Sequence, residues 1–251
     1  MDITKDSQET FCRITPNNNI VFILAWHALH WILRVLSLAH EVLRAVESYL
    51  ITKGLLTRYK HLHLDRVKYL GVVIDSDEAR QTLEVIELMQ WLSGIGIKKV
   101  CLYDREGVLK KSKEVLLEKF SSAKLSNVDS KTDFFLGKKK MDFEFVSISD
   151  GKEAVAKAAN LLFKMYYLGE DTEKPFFTET YLSAALKTLG YVEPDPDLLF
   201  IYGPARCHLG FPAWRIRYTE MVHMGSLKNK KYGLILKAIH QFTKVKQNYG
   251  S

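Results

Sequence analysis

Two groups of acidic residues stand where an α/β protein would hold a ligand. Asp75, Asp77 and Glu78 follow the β-branched run Val67–Ile74, and Asp104-Arg105-Glu106-Gly107 follows Lys98–Tyr103. Open α/β sheets place ligands at the carboxyl ends of their strands, and two or three clustered carboxylates can hold Mg²⁺ there. The same residues can instead serve the backbone. Ser and Asp are strongly preferred at helix N-caps, so Ser76 or Asp77 is expected to cap the next helix. The second group reads as a charged turn.

Other candidate chemistry is thinner. Phosphate-binding glycines must open the helix that follows a strand, because that helix supplies the N–H groups. Gly94-x-Gly96 precedes a strand instead and reads as a turn between helix and strand. His27 and His30 lie on nearly one face of their segment with no further ligand nearby, and read as packing or interfacial residues. Cys12, Cys101 and Cys207 are dispersed and odd in number, which indicates neither a disulfide framework nor a zinc site and fits a reducing, cytosol-facing location. No Ser/His/Asp or Cys/His arrangement is visible. No metal site and no catalytic residue is expected in this chain.

The net charge of +7 favours anionic partners without choosing among them. The clusters Lys110-Lys111-Lys113, Lys138–Lys140 and Lys228/Lys230/Lys231 lack interleaved aromatic side chains, which argues against nucleic acid. They read as solvated faces, or faces turned to acidic lipid. The chain of 251 residues, 47% hydrophobic and 26% charged, is long enough for one α/β domain and a short appendage.

Several elements must position these residues. Ile20–Leu38 is apolar and aromatic, with His27, His30 and Arg34 as its strongly polar members, and is adequate for a membrane span with Arg34 snorkelling near one end. Apolar residues continue at three- and four-residue spacing to Leu50, so one helix is predicted from the Pro16–Asn19 start to the Lys53-Gly54 stop. Arg34, Arg44, Lys53 and Arg58 after the segment outnumber Lys5 and Arg13 before it, which puts the main domain on the cytosolic side. Beyond it, strands are predicted at Val67–Ile74, Lys98–Tyr103, Asp142–Ile148 and Leu198–Tyr202. Helices are predicted at Glu78–Leu92, Lys111–Ser121, Lys152–Leu168, Thr178–Leu189 and Tyr232–Gln247, with an exposed loop at Asn127–Lys140. Such alternation implies an α/β fold with a mostly parallel sheet flanked by helices. The expected organisation is an N-terminal tail at 1–19, a membrane-spanning or amphipathic helix at 20–52, a linker at 53–65 and one domain at 66–251.

The stretch Pro194–Met221 carries Asp195-Pro196-Asp197-Leu198, Gly203-Pro204, Leu209-Gly210-Phe211, Trp214 and Tyr218-Thr219-Glu220. It resembles the carboxyl-terminal motif region of cis-prenyltransferases, and more closely the Nogo-B receptor family, non-catalytic subunits of dehydrodolichyl diphosphate synthase. The resemblance extends more weakly over Leu70–Tyr249. Active members carry a phosphate-binding run, Arg-Thr-Ser-Gly-Glu-x-Arg-x-Ser. Here Ile201, Tyr202, Gly203, Pro204, Ala205, Cys207 and Leu209 hold those positions, and Arg206 is out of register. An apolar side chain cannot replace an arginine's bidentate phosphate contact. The Asp-Gly-Asn-x-Arg motif of active members is also broken. Asp75 is kept, the Gly-Asn pair is absent, and Arg80 comes one residue late.

The resemblance implies an undecaprenyl diphosphate synthase-like fold and a chain that is silent alone. It implies a heteromer with a catalytic cis-prenyltransferase subunit that elongates farnesyl diphosphate with isopentenyl diphosphate for dolichol synthesis and protein glycosylation. Mg²⁺ would be bound mainly by that partner, and the location would be the endoplasmic reticulum membrane. It further implies a partner interface at Trp214, Tyr218, Thr219 and Glu220. The tail Asn248-Tyr249-Gly250 would reach toward the partner's substrate phosphates, with Asn where related subunits carry Arg. The competing reading is a membrane receptor or scaffold that binds proteins without a role in prenyl synthesis.

Overall fold

The computed structural model describes residues 19–59, 62–126, 141–167, 178–191 and 194–245. Five strands lie among them: β1 (Tyr69–Ile74), β2 (Lys99–Asp104), β3 (Asp142–Val146), β4 (Leu198–Tyr202) and β5 (Glu220–Gly225). They form one sheet in the order β3-β2-β1-β4-β5, and every pairing is parallel. The predicted α/β class and parallel sheet are therefore met. β1 is buried at all six positions and β4 at all five, as expected of central strands covered on both faces.

β5 was not predicted as a strand. It is an edge strand in which Met224 alone is buried, so it lacks the continuous apolar run that marks β1 and β4.

The helices are α1 (Asn19–Thr52), α2 (Ser76–Ala79), α3 (Thr82–Ile95), α4 (Val108–Lys111), α5 (Lys113–Ser126), α6 (Lys152–Tyr167), α7 (Glu179–Thr188) and α8 (Tyr232–Lys244). The helix predicted from Glu78 is two pieces, because Arg80 ends α2 and α3 restarts at Thr82. Gly96 closes α3 in a left-handed conformation (φ 99°), where its N–H bonds to Leu92 and Ser93 carbonyls. The expected turn role of Gly94-x-Gly96 follows from that freedom of a residue without Cβ.

Two cores sandwich the sheet. On one face Leu70, Val72, Ile74, Leu102, Phe200 and Tyr202 join residues of α3, α5 and α8. On the other, Tyr69, Val73, Cys101, Tyr103, Val146, Leu199 and Ile201 meet Phe211. Each fully buried large side chain contributes about 1.5–3 kcal/mol, before conformational entropy is subtracted. A third, smaller cluster of Ala154, Ala158, Leu162, Ala185 and Leu186 zips α6 to α7, with Trp214 packed on it.

α1 is a single helix of 34 residues, long and apolar enough to cross a membrane. It ends at the predicted Lys53-Gly54, where Gly54 takes φ 69°. Its last turns do not dangle. Ser48 and Ile51 are buried, Glu47 pairs with Lys237 of α8 at 2.7 Å, and a Cβ on Gly233 would lie 2.3 Å from the Ser48 carbonyl. Tyr59 and Arg66, beyond the helix, also pack on α8. The Tyr59 ring meets His240 of α8 edge-on at 4.9 Å, and Arg66 donates to the Thr243 carbonyl at 2.8 Å.

Candidate functional site

The carboxyl ends of the strands bring together the loops that begin at Asp75, Asp104, Ser147 and Gly203. Their approach is close. A Cβ on Gly203 would lie 2.9 Å from the Asp75 Cβ, and one on Gly151 would lie 3.6 Å from the Gly210 carbonyl. The Tyr103 hydroxyl donates to the Leu209 carbonyl at 3.1 Å, which ties β2 to the loop after β4. Burial pushes that phenol up to about 12, with the neighbouring Asp104 charge acting in the same direction, so it stays a neutral donor.

The acidic residues on this crest serve the backbone. Asp75, one residue before the expected cap, is the N-cap of α2 and accepts from the Asp77 N–H at 3.3 Å. Glu78 reaches across to the turn that follows β5, where it accepts from the Ser226 hydroxyl at 2.5 Å and the Leu227 N–H at 2.9 Å. Asp104 is wholly buried and accepts from the N–H groups of Val108 (2.8 Å) and Leu109 (2.9 Å), opening α4. Ser76 bridges the two acidic loops, donating to Asp104 and accepting from the Glu106 N–H at 3.1 Å.

Two of the cations here are paired as well. Arg80 meets Glu106 at 2.8 Å, and Lys110 meets Asp150 at 2.7 Å. The first pair is exposed on both sides and contributes little to stability, and in the second the lysine is exposed while Asp150 is half-buried. They do engage two groups that could otherwise turn toward a phosphate.

The residues present do not fit Mg²⁺. Asp75, Glu78 and Asp104 each already accept backbone N–H groups, and among the described residues no three of His, Cys, Asp and Glu converge. On the phosphate side the loop after β4 offers one guanidinium, Arg206. Ile201 and Tyr202 sit inside β4 with their side chains in the two cores, while Pro204, Ala205, Arg206 and Cys207 form an exposed loop. The Gly203 carbonyl is bonded to His223 Nε2 at 2.8 Å.

The other signature residues lie at the opposite, amino end of the sheet. Asp197 accepts from the N–H groups of Lys68 (2.8 Å) and Tyr69 (2.9 Å), locking the start of β1 beside β4. Burial raises the pKa of Asp197, against the pull of those N–H bonds and of Lys68. Asp195 is raised too, by burial, with Arg215 and Arg217 opposing. Thr219 donates to the Pro196 carbonyl at 2.6 Å and so pins the start of β5. Trp214 is half-buried against the α6–α7 cluster, Glu220 opens β5 half-buried, and Tyr218 is 55% exposed. Asn248, Tyr249 and Gly250 lie outside the described residues.

Arg215 escaped the sequence reading. It is 6% exposed and forks onto both Glu144 oxygens at 2.9 Å, while also donating to the Tyr69 hydroxyl (2.9 Å) and the Pro194 carbonyl (3.1 Å). Only the run of polar residues inside the signature stretch hinted at it, since Glu144 is 71 positions away.

No protein-family profile matches the chain. Curated proteins do. Human dehydrodolichyl diphosphate synthase complex subunit NUS1 is 26% identical over 197 residues, covering 72% of this chain and 66% of the human protein. Its mouse counterpart is 25% identical over 198 residues, covering 72% and 65%. The protein of the same name in Saccharomyces cerevisiae is 24% identical over 197 residues, covering 65% and 52%. The chain is a homologue of these complex subunits.

The match spans just under two thirds of the mammalian homologues' own length. Matching solved structures include a probable undecaprenyl diphosphate synthase from Campylobacter jejuni (TM-score 0.46, 16% identity, 74% of this chain and 99% of that chain). Another is lavandulyl diphosphate synthase from Lavandula x intermedia (TM-score 0.49, 15% identity, 74% and 98%).

Proposed function

We propose that this chain is the non-catalytic, membrane-anchoring subunit of a dehydrodolichyl diphosphate synthase complex. The observation that carries this reading is the crest of the sheet, where the acidic groups are bound to backbone N–H groups and Ile201 is buried in the strand. A crest built this way gives its carboxylates to the backbone, so Arg105 and Arg206 stand there without the Mg²⁺ ligands needed to stabilise a departing diphosphate. The catalytic cis-prenyltransferase partner supplies them, and Mg²⁺ sits with that partner. Farnesyl and isopentenyl diphosphates are its substrates. α1 spans the endoplasmic reticulum membrane, with the α/β domain in the cytosol.

The partner docks along the β5 edge. Met221 is 50% exposed on this edge strand, and Tyr218, two residues before the strand begins, is 55% exposed. Thr219 and Glu220 shape that edge, and Trp214 supports the loop leading into it from its seat on α6 and α7. Tyr218→Ala is expected to weaken the heteromer by about 2 kcal/mol, as truncation of an aromatic anchor does. The tail Asn248-Tyr249-Gly250 follows α8 and contributes amide donors to the shared site, so deleting residues 248–251 lowers turnover without separating the subunits.

The direct test is isopentenyl incorporation by the chain alone, by a catalytic subunit alone and by the two together. The expected result is no product from the chain alone and a clear gain on mixing. Product from the verified lone chain overturns the reading, as does a catalytic subunit that gains nothing from it.

A further inference from the structure

α8 serves two neighbours in turn. Gly233 and Lys237 meet the end of α1, through Ser48 and Glu47. One turn further on, His240 meets the segment that follows α1, where the buried Tyr59 ring lies edge-on at 4.9 Å. His240 is 4% exposed, and its Nε2 has no hydrogen-bond partner among the described residues. An unmade hydrogen bond in the interior is costly, so packing alone would place an apolar ring here.

The charges around His240 are nearly all of one sign. The turn Thr57–Tyr59 brings Arg58, whose guanidinium lies 5.2 Å over the Tyr59 ring. The turn Leu64–Arg66 brings Arg66, bonded to the Thr243 carbonyl at 2.8 Å, with His63 just before it. α8 itself adds Lys244. The end of α1 offers Glu47, held by Lys237, and Lys53, which lies over the Tyr49 ring of its own helix. Asp65 is exposed, and neither it nor Glu47 bonds to Nε2. The face of α8 turned to the sheet is apolar, with Ile235, Ile239 and Phe242. Burial holds the imidazole below its ordinary range, and Lys244, Arg58 and His63 act in the same direction.

We propose that His240 is a pH-sensitive latch, and that its protonation releases the Tyr59 segment from α8 and loosens the seat of α1 on the domain. A neutral ring suits the closed seat under Tyr59. An imidazolium there needs water or a carboxylate, and has neither while the segment is down. Docking therefore favours the neutral ring. The latch holds fully above the ordinary histidine pKa of about 6.5 and loosens as pH falls below it. Once it opens, α1 keeps its Ser48–Gly233 and Glu47–Lys237 contacts but loses the strap beyond them.

The test is amide hydrogen exchange of the full-length chain in detergent at pH 7.5, 6.5 and 5.5, corrected for the intrinsic exchange rate at each pH. Peptides containing Tyr59 should exchange up to about tenfold faster at pH 5.5 than at pH 7.5, the limit for a histidine of ordinary pKa that docks only when neutral. Peptides from β1 and β4 should not change. His240→Phe and His240→Gln cannot gain charge and should level the response, the second serving where the phenyl ring does not fit. Lys244→Gln removes a facing charge and should reduce it. Protection of Tyr59 that stays flat in the unaltered chain overturns the proposal. An acid response that persists in both His240 variants belongs to another group, such as His63, and overturns it too. If both variants are already open at pH 7.5, an undiminished response in Lys244→Gln does the same.

Discussion

The crest of the sheet and the exposed length of α1 both carry polar groups, yet they differ in what those groups do. On the crest, Asp75, Glu78 and Asp104 accept backbone N–H groups, and Arg80 and Lys110 are paired with carboxylates. Along α1, His30, Arg34 and Ser37 stand exposed on an otherwise apolar helix. Polar residues that satisfy one another build structure and leave little for chemistry. Polar residues exposed on an apolar helix brace nothing in the domain.

The contrast can be broken most forcefully where the domain's polar groups are most buried. Arg215→Ala should cost about 3–5 kcal/mol, since it leaves the Glu144 carboxylate without its cation, with the Tyr69 hydroxyl still donating to it. Because Glu144 is partly exposed, the lower end is expected. Thermal or denaturant melting of the full chain in detergent reads it. Glu144→Leu combined with Arg215→Met should recover part of the loss, and a double variant as unstable as Arg215→Ala would show that the pair does more than satisfy itself.

Gly233→Val comes next, at the joint between α1 and α8. Its side chain would collide with the Ser48 backbone, and overpacking of this kind costs about 1–3 kcal/mol. A melt identical to that of the unaltered chain would mean α1 is not seated on the domain.

The crest itself is tested by Asp75→Ala. Loss of an N-cap lowers stability by about 0.5–2 kcal/mol, and turnover of the assembled complex should be unchanged. A collapse of turnover at equal complex concentration would make Asp75 a chemical group and erase the distinction drawn above.

The smallest effect concerns pH. The Asp197 pKa is raised by burial, so the folded chain binds its proton more tightly than the unfolded chain. Stability from this group is present below the unfolded pKa and falls as pH rises through the folded one. Asp197→Asn keeps an acceptor for the Lys68 and Tyr69 N–H groups and should flatten that fall on the alkaline side of the ordinary carboxylate range. An unaltered pH profile of stability would remove Asp197 from the account.

Much of this was legible in the sequence. Val67–Ile74 and Leu198–Tyr202 were read as strands because central parallel strands are apolar on both faces. The extent of α1 was readable from apolar spacing and the Lys53-Gly54 stop. The capping role of the first acidic group was readable too, although the cap is Asp75. β5 was not readable, because an edge strand with one buried side chain carries no clean period.

What the sequence by itself determined is local or periodic: the α/β alternation and the length of α1. Tertiary structure alone decided which groups are engaged. Glu78 meets Leu227 across 149 positions, Arg215 meets Glu144 across 71, and Lys237 meets Glu47 across 190. The reason is physical. Periodicity and capping act within a few residues of the chain, whereas the satisfaction of a buried charge depends on neighbours that only the packed sheet brings into contact.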